Sequence, residues 1–382
     1  MKIVIAPQAF KGSLDAPHVA HAISRGVSQV FPHARLDLVP VADGGEGTVR
    51  ALVQASRGRT VTTRVLGPLE QPVNATWGVL GGNQVGVIEI AAASGLPLIR
   101  RNERNPLRTT SYGTGELIRH ALDLGMQRLI IGVGGSATND GGAGMARALG
   151  AQFLDEHGQE IALGGGALRH LHHIDTTDLD PRLHAVEIEV ACDVNNPLVG
   201  PNGASYIYGP QKGADYLMAE QLDDTLRHFA KVLKRDMGVD VADIPGSGAA
   251  GGLGAGLIAF GGATLRPGVD IVFRAINLEE RMRDAQLVFT GEGRMDRQDL
   301  SGKAPLAVAQ LAHRFGIPCV AIVGSTGRDY HVVFDHGLDA IIGTVNRPMP
   351  IERAVAESAR LITEAAMRAC RLLRVGMRLS PD

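Results

Sequence analysis

Between residues 131 and 144 the chain reads Ile-Gly-Val-Gly-Gly-Ser-Ala-Thr-Asn-Asp-Gly-Gly-Ala-Gly, six glycines interleaved with Ser136, Thr138, Asn139 and Asp140. The apolar run before it, 128–131, predicts a buried strand, and 145–149 predicts a helix. A glycine-rich loop that leaves a strand and enters a helix gathers backbone N–H groups at a positive dipole end, which favours an anion. With Gly134 and Gly135, the four polar side chains could hold a phosphate, substrate hydroxyls or a metal. The plain alternative is a tight turn that needs glycine for positive φ. Four polar side chains exceed what such a turn requires.

Five further polar, glycine-rich segments fall at or near predicted strand ends, where open α/β sheets bind their ligands. Lys11 lies just beyond the first strand and can act as a point charge toward phosphate or carboxylate. Asp43 and Glu46 stand among the glycines of 43–48 and could bind a metal or accept from hydroxyls, while Asp43 could also cap a helix. Asp193 ends a strand, a placement suited to a metal ligand or a general base. Asn196 and Lys212 follow it, although Pro197 and Gly209-Pro210 could make these ordinary turns. The stretch 245–254 carries Gly246, Gly248, Gly251 and Gly252. It matches GxGxxG, with Asp270 at a plausible offset for a ribose-binding acid, but no strand precedes it. A phosphate cradle or close helix packing is the competing reading. The last segment holds Glu292, Arg294 and Asp296 and leads through Ser301-Gly302 to Lys303. Arg294 can grip phosphate through two parallel bonds, and Lys303 adds a second charge. The glycine upstream that a Walker loop needs is missing, and no protein-kinase signature is present.

These segments need elements to position them. Strands are predicted over 2–6, 35–41, 128–133, 186–192, 287–289, 319–323 and 340–342. Helices are predicted over 16–31, 49–56, 115–124, 217–233, 304–314 and 351–373. In the last of these a stripe of Val355, Ala359, Ile362, Ala366, Ala369 and Leu373 reads as core. Between 61 and 90 three β-rich runs are split by Gly-Pro and Gly-Gly turns, which predicts antiparallel hairpins, and 153–160 reads as another hairpin. Alternation of strand and helix at both ends of the chain, around a different middle, predicts an α/β fold of two α/β domains. One is a discontinuous, doubly wound, Rossmann-like parallel-sheet domain of residues 1–60 and 270–382. The other is an α/β domain of 61–269 inserted into it.

At 382 residues the chain exceeds the usual reach of one core, which fits two domains. A net charge of −2 leaves no electrostatic footprint for nucleic acid, and 4% aromatics leave little for base stacking. Three distant cysteines form neither a disulfide framework nor a zinc site, and no run is long enough to span a membrane. A cytoplasmic protein is the expectation. The oligomeric state stays open, a homo-oligomer included.

Together the segments VADGGEGT (41–48), IEIAAASGL (88–96), TTSYGTGEL (109–117), GGSATNDGGAGM (134–145), ACDVNNPLVG (191–200), GPQKGA (209–214), PGSGAAGGLG (245–254), TGEGRMD (290–296) and SGK (301–303) resemble the bacterial type I glycerate kinases, in family order over nearly the whole chain. The resemblance implies phosphorylation of D-glycerate by ATP with Mg2+, with 2-phosphoglycerate as the expected product and an active site between two α/β domains. On that reading the loop 134–144 and residues 246–254 cradle phosphate or substrate. Lys11, Arg294 and Lys303 neutralise charge or hold the glycerate carboxylate. Asp193 is the first choice for base or metal ligand, with Asp43 and Asp296 as rivals. One departure stands out: Gln8 and Ala9 occupy positions where the family usually has aspartate and serine. The alternative expectation is therefore a catalytically impaired protein that binds glycerate or nucleotide.

Overall fold

Runs of three to nine residues, most of them β-branched and apolar, make the strands of this molecule. In the computed structural model, which describes residues 1–297 and 303–379, they are β1 (Lys2–Ile5), β2 (Arg35–Leu38), β3 (Arg59–Leu66), β4 (Pro72–Val79), β5 (Val85–Glu89), β6 (Arg128–Gly132), β7 (Gln152–Leu154), β8 (His173–Asp175), β9 (Glu187–Ala191), β10 (Thr264–Arg266), β11 (Leu287–Met295), β12 (Cys319–Thr326) and β13 (Ala340–Gly343). The described residues fall into two compact units. One is built from Met1–Asp43, Arg50–Arg57 and the stretch from Val272 onward, the other from Gly44–Val49 and Gly58–Ile271.

The first unit holds a five-stranded, wholly parallel sheet in the order β13-β12-β11-β1-β2. Parallel neighbours need crossovers, and helices Ala16–Ser28 and Ala304–Arg314 supply two of them. Asp15 starts the first helix by accepting from the His18 amide at 3.0 Å, with Pro17 in its opening turn. That helix buries Val19, Ile23 and Val27 on Ile3, Ile5 and Phe289, and the closing helix adds Ile362, Ala366 and Cys370.

Two expectations change here. Residues 290–295, read as a loop, continue β11, pairing in parallel with β12 as far as Met295 opposite Thr326. Glycine is a poor strand former and hid this strand, yet it is what the packing needs: a Cβ at Gly291 would lie 1.9 Å from the Ile322 carbonyl oxygen. The closing helix is not continuous from 351 to 373. It divides into Ile351–Ala356 and Ser358–Leu379, and the Ser358 hydroxyl donates to the Val355 carbonyl at 2.8 Å across the break. Val355 thereby leaves the core stripe and stands 40% exposed.

The second unit holds a mixed sheet in the order β10-β9-β6-β5-β4-β3. The pairs among β10, β9, β6 and β5 are parallel, and β5-β4 and β4-β3 are antiparallel, as the Gly-Pro and Gly-Gly turns imply. Trp77 is wholly buried within it, and helix Tyr216–Met237 buries Leu222, Leu226, Phe229 and Leu233 on one side. The expected hairpin at 153–160 is reduced to a single bridge between Leu154 and Glu160. The partner of β7 is β8, with Phe153 opposite Ile174. Phe153 packs near Phe229 and Phe260, whereas the charged run after Asp155 has no apolar face to bury; Asp155 instead folds back to accept from the His157 and Gln159 amides. Among the described residues no helix is long and apolar enough to cross a membrane.

Candidate active site

In an open parallel sheet, ligands bind beyond the carboxyl ends of the strands where the strand order reverses. In the first unit that point lies between β1 and β11. The segment after β1 contributes Gln8 and Lys11, the one after β2 Asp43, and the end of β11 Glu292 and Arg294, followed by Asp296. These line one cavity of about 790 Å³ together with Lys303, which precedes helix Ala304–Arg314. Arg294 Nε lies 3.2 Å from Asp296 Oδ2, and Lys303 Nζ lies 3.9 Å from Glu292 Oε2. The Arg294 side chain is 68% exposed, so its ion pair is worth little and can be exchanged for a bound anion. Gln8 is held more firmly. Its backbone N–H donates to the Gly291 carbonyl at 2.8 Å and its Nε2 to Asp43 Oδ2 at 2.7 Å, while its Oε1 is buried without a hydrogen-bond partner. Ser301 and Gly302 lie outside the described residues.

The second unit gathers a separate set at the ends of β5, β6 and β9. Residues 44–49 lie there: a Cβ on Gly132 would come within 2.5 Å of the Gly44 carbonyl oxygen, and one on Gly44 within 2.6 Å of the Ala191 methyl. Gly134, Gly135, Glu46 and Asp193 are exposed. Asp193 Oδ1 accepts from the Gly268 amide at 2.8 Å and so caps helix Gly268–Ala275. Glu89, which sequence reasoning passed over although it closes β5 much as Asp193 follows β9, accepts from the Val49 amide at 2.7 Å.

The polar residues of the glycine loop turn inward. Ser136, Thr138, Asn139 and Asp140 are all buried, so the loop presents to solvent the backbone of Gly134 and Gly135. Asp140 accepts from the Ser111 amide and hydroxyl at 2.8 Å each, and from the Gly142 and Gly144 amides at 3.2 and 3.3 Å. Burial raises its pKa against these donors, which stabilise the charged form. Asn139 Nδ2 donates to Ser205 Oγ at 3.0 Å. Lys212 is 2% exposed and donates to the Thr138 carbonyl at 2.7 Å and the Ser136 hydroxyl at 3.5 Å. Burial lowers its pKa to about 7, with Asp140 acting in the opposite sense. Asn196 is also engaged, donating to the Asn202 carbonyl and accepting from the Tyr208 hydroxyl.

Residues 246–252 form a turn and not a dinucleotide loop. Ala250, Gly251 and Gly252 are left-handed, and a Cβ on Gly251 would sit 2.0 Å from the Thr138 carbonyl oxygen. Gly248 meets Pro197 in the same way. The run thus packs against the glycine loop at van der Waals distance. Of the candidate metal ligands, Glu46 and Asp193 belong to the second unit and Asp43 and Asp296 to the first, and among the described residues no three His, Cys, Asp or Glu side chains form a ready-made metal cage.

Comparison with known proteins agrees along the whole chain. A family model described as "Glycerate kinase family" matches residues 3–374. The glycerate 2-kinase of Escherichia coli K12 is 51% identical over 378 residues, covering 99% of each chain. The glycerate kinase of Halalkalibacterium halodurans is 50% identical over 364 residues, covering 95% of this chain and 96% of the relative. A crystal structure named for glycerate kinase 2 of Salmonella typhimurium LT2 aligns with a TM-score of 0.92 at 50% identity over 99% of each chain.

Proposed function

Because the chain belongs to the glycerate kinase family, we propose that this kinase transfers the terminal phosphoryl group of ATP to D-glycerate, giving 2-phosphoglycerate and ADP. The observation that carries this reading is the grouping of Lys11, Arg294 and Lys303 with Asp43, Glu292 and Asp296 around one cavity at the switch point of a parallel sheet. Phosphoryl transfer asks a protein for in-line positioning and charge neutralisation more than for covalent chemistry. Three cations can hold the polyphosphate and take up charge as it shifts to the leaving group. Mg2+ is commonly held by one or two carboxylates together with phosphate oxygens and water. Asp43, Glu292, Asp296 and the unpartnered Gln8 Oε1 are oxygen donors of that kind, so the residues fit the ion. When bound, it would neutralise charge between the phosphates. Asp193, exposed and oriented by the Gly268 amide, is our choice for the group that takes the proton of the attacking hydroxyl, with Asp43 as its rival. The buried polar residues of the glycine loop support this chemistry by fixing the backbone of Gly134 and Gly135 as anion donors.

A second reading, binding without turnover, is favoured by one observation: Gln8 brings no charge to the cavity and engages an oxygen of Asp43. One assay separates the two. Purified protein with Mg-ATP and D-glycerate is followed by ADP release, and the product is identified by phosphorus NMR. A 2-phosphoglycerate signal is expected. Absent turnover with ADP still bound would establish the second reading, and 3-phosphoglycerate would overturn the proposed regiochemistry.

A further inference from the structure

We propose that the cavity of the first unit is a purine-nucleotide subsite, with the base against an aliphatic wall of Val345, Met349, Ile351, Ala354 and Val355 and the phosphates at Lys11, Arg294 and Lys303. The inference rests on the ATP dependence proposed above and says where the nucleotide binds. Its starting point is an exposure that packing does not explain. Val345, Ile351 and Val355 are 43%, 73% and 40% exposed, and all three line one cavity. Single exposed aliphatics are ordinary, but a cluster that shares a concave wall with charged groups marks a binding surface.

The cavity is divided as a nucleotide is divided. One side is aliphatic and comes from residues 345–355. The other is charged and comes from the end of β11 and the segment after β1. A three-carbon hydroxy acid has nothing to lay on an aliphatic wall, and about 790 Å³ far exceeds its size. That volume falls within the range of about 300–1,000 Å³ that holds larger ligands. The wall is also tied to the charged side: the Ser13 hydroxyl donates to Ser358 Oγ at 2.7 Å, and Ser358 donates to the Val355 carbonyl at 2.8 Å. The short helix Ile351–Ala356 is thereby anchored to the same segment that carries Lys11, and the break before Ser358 turns Val355 away from the core.

The test is calorimetric titration of the full chain with ADP and, separately, with inorganic tripolyphosphate, for the wild type, Val355→Asp and Ile351→Asp. Each aspartate should weaken ADP binding roughly tenfold or more, since it places a charge where an aromatic base must be desolvated. Tripolyphosphate binding and the KM for D-glycerate should stay within about twofold of the wild type. Photolabelling with 8-azido-ADP should mark the peptide holding 345–355. Unchanged ADP affinity in both variants, or label elsewhere, overturns the subsite even if 2-phosphoglycerate is formed. Wild type that binds ADP but never phosphorylates glycerate overturns the kinase reading and leaves this test intact, and no ADP binding at all overturns both. If Val355→Asp misfolds, the more exposed Ile351→Asp decides.

Discussion

At the scale of single residues, Asp193 and Lys212 show how a side chain's surroundings assign its work. Asp193 can be tested cleanly because asparagine keeps an oxygen for the Gly268 amide and so retains the helix cap. Asp193→Asn should lower kcat roughly a hundredfold or more if the carboxylate is the base, with the melting temperature nearly unchanged. Near-normal turnover would move the role to Asp43. For Lys212 the test is stability against pH. Its folded pKa is lowered to about 7 from the ordinary 10.5. Between these values the unfolded chain keeps a proton that the folded chain has released, so the group makes stability rise with pH across that window. Lys212→Met removes this contribution. The stability of the wild type relative to the variant, from urea unfolding, should therefore increase from pH 7 to pH 10, and a flat or falling difference would refute it. The glycine loop was legible in the sequence as a loop of the right composition and place. What residue type cannot state is direction: Asn139 and Asp140 point inward because Ser205 and Ser111, both distant in sequence, meet them there, and Lys212 takes the Thr138 carbonyl beside them. The aliphatic wall was illegible for the same reason, since Val355 fits a helical core stripe until the helix breaks at its neighbour.

At the scale of elements, local periodicity identified most of the longer helices and strands, but it missed helices Ala249–Gly261 and Gly268–Ala275 and failed where glycine or polarity disguised a pairing. β11 was cut short because Gly291 and Gly293 look like a turn, and the hairpin at 153–160 was given too much of the pairing, because β8, with eighteen residues between it and β7, takes the ladder and leaves the hairpin one bridge. The turn at 249–252 allows the most direct test of an element's packing. Gly251 has φ +72, its carbonyl accepts from the Gly141 amide at 3.0 Å, and an added Cβ would overlap the Thr138 carbonyl. Gly262 is also left-handed, at φ +59, but an added Cβ there meets nothing. Gly262→Ala should therefore cost only the backbone penalty, about 1–2 kcal/mol. Gly251→Ala should cost clearly more, because the glycine loop must also shift. Chemical unfolding of both variants gives the comparison, and equal losses would show that the contact at Thr138 relaxes without cost.

At the scale of the whole molecule, the chain's path makes the two units unequal in autonomy. Nearly all of the second unit is one continuous segment, Gly58–Ile271, with its own buried core around Trp77, the only tryptophan in the sequence. The first unit is closed only after the chain returns: β1 lies between β2 and β11, and the Ala6 and Gln8 amides donate to the carbonyls of Phe289 and Gly291. A chain ended at Ile271 keeps β1 and β2 but lacks β11, β12 and β13. Two short parallel strands and the two helices Ala16–Ser28 and Thr48–Ser56 cannot bury enough surface to offset the entropy of ordering them. Such a truncation should keep the blue-shifted emission of a buried Trp77, while limited proteolysis trims residues 1–43 and stops near Gly44, where the chain enters the second unit. Protection of residues 1–43 in the truncated chain would show that the amino-terminal strands do not depend on β11. A red-shifted Trp77 would show instead that the second unit cannot fold without the first.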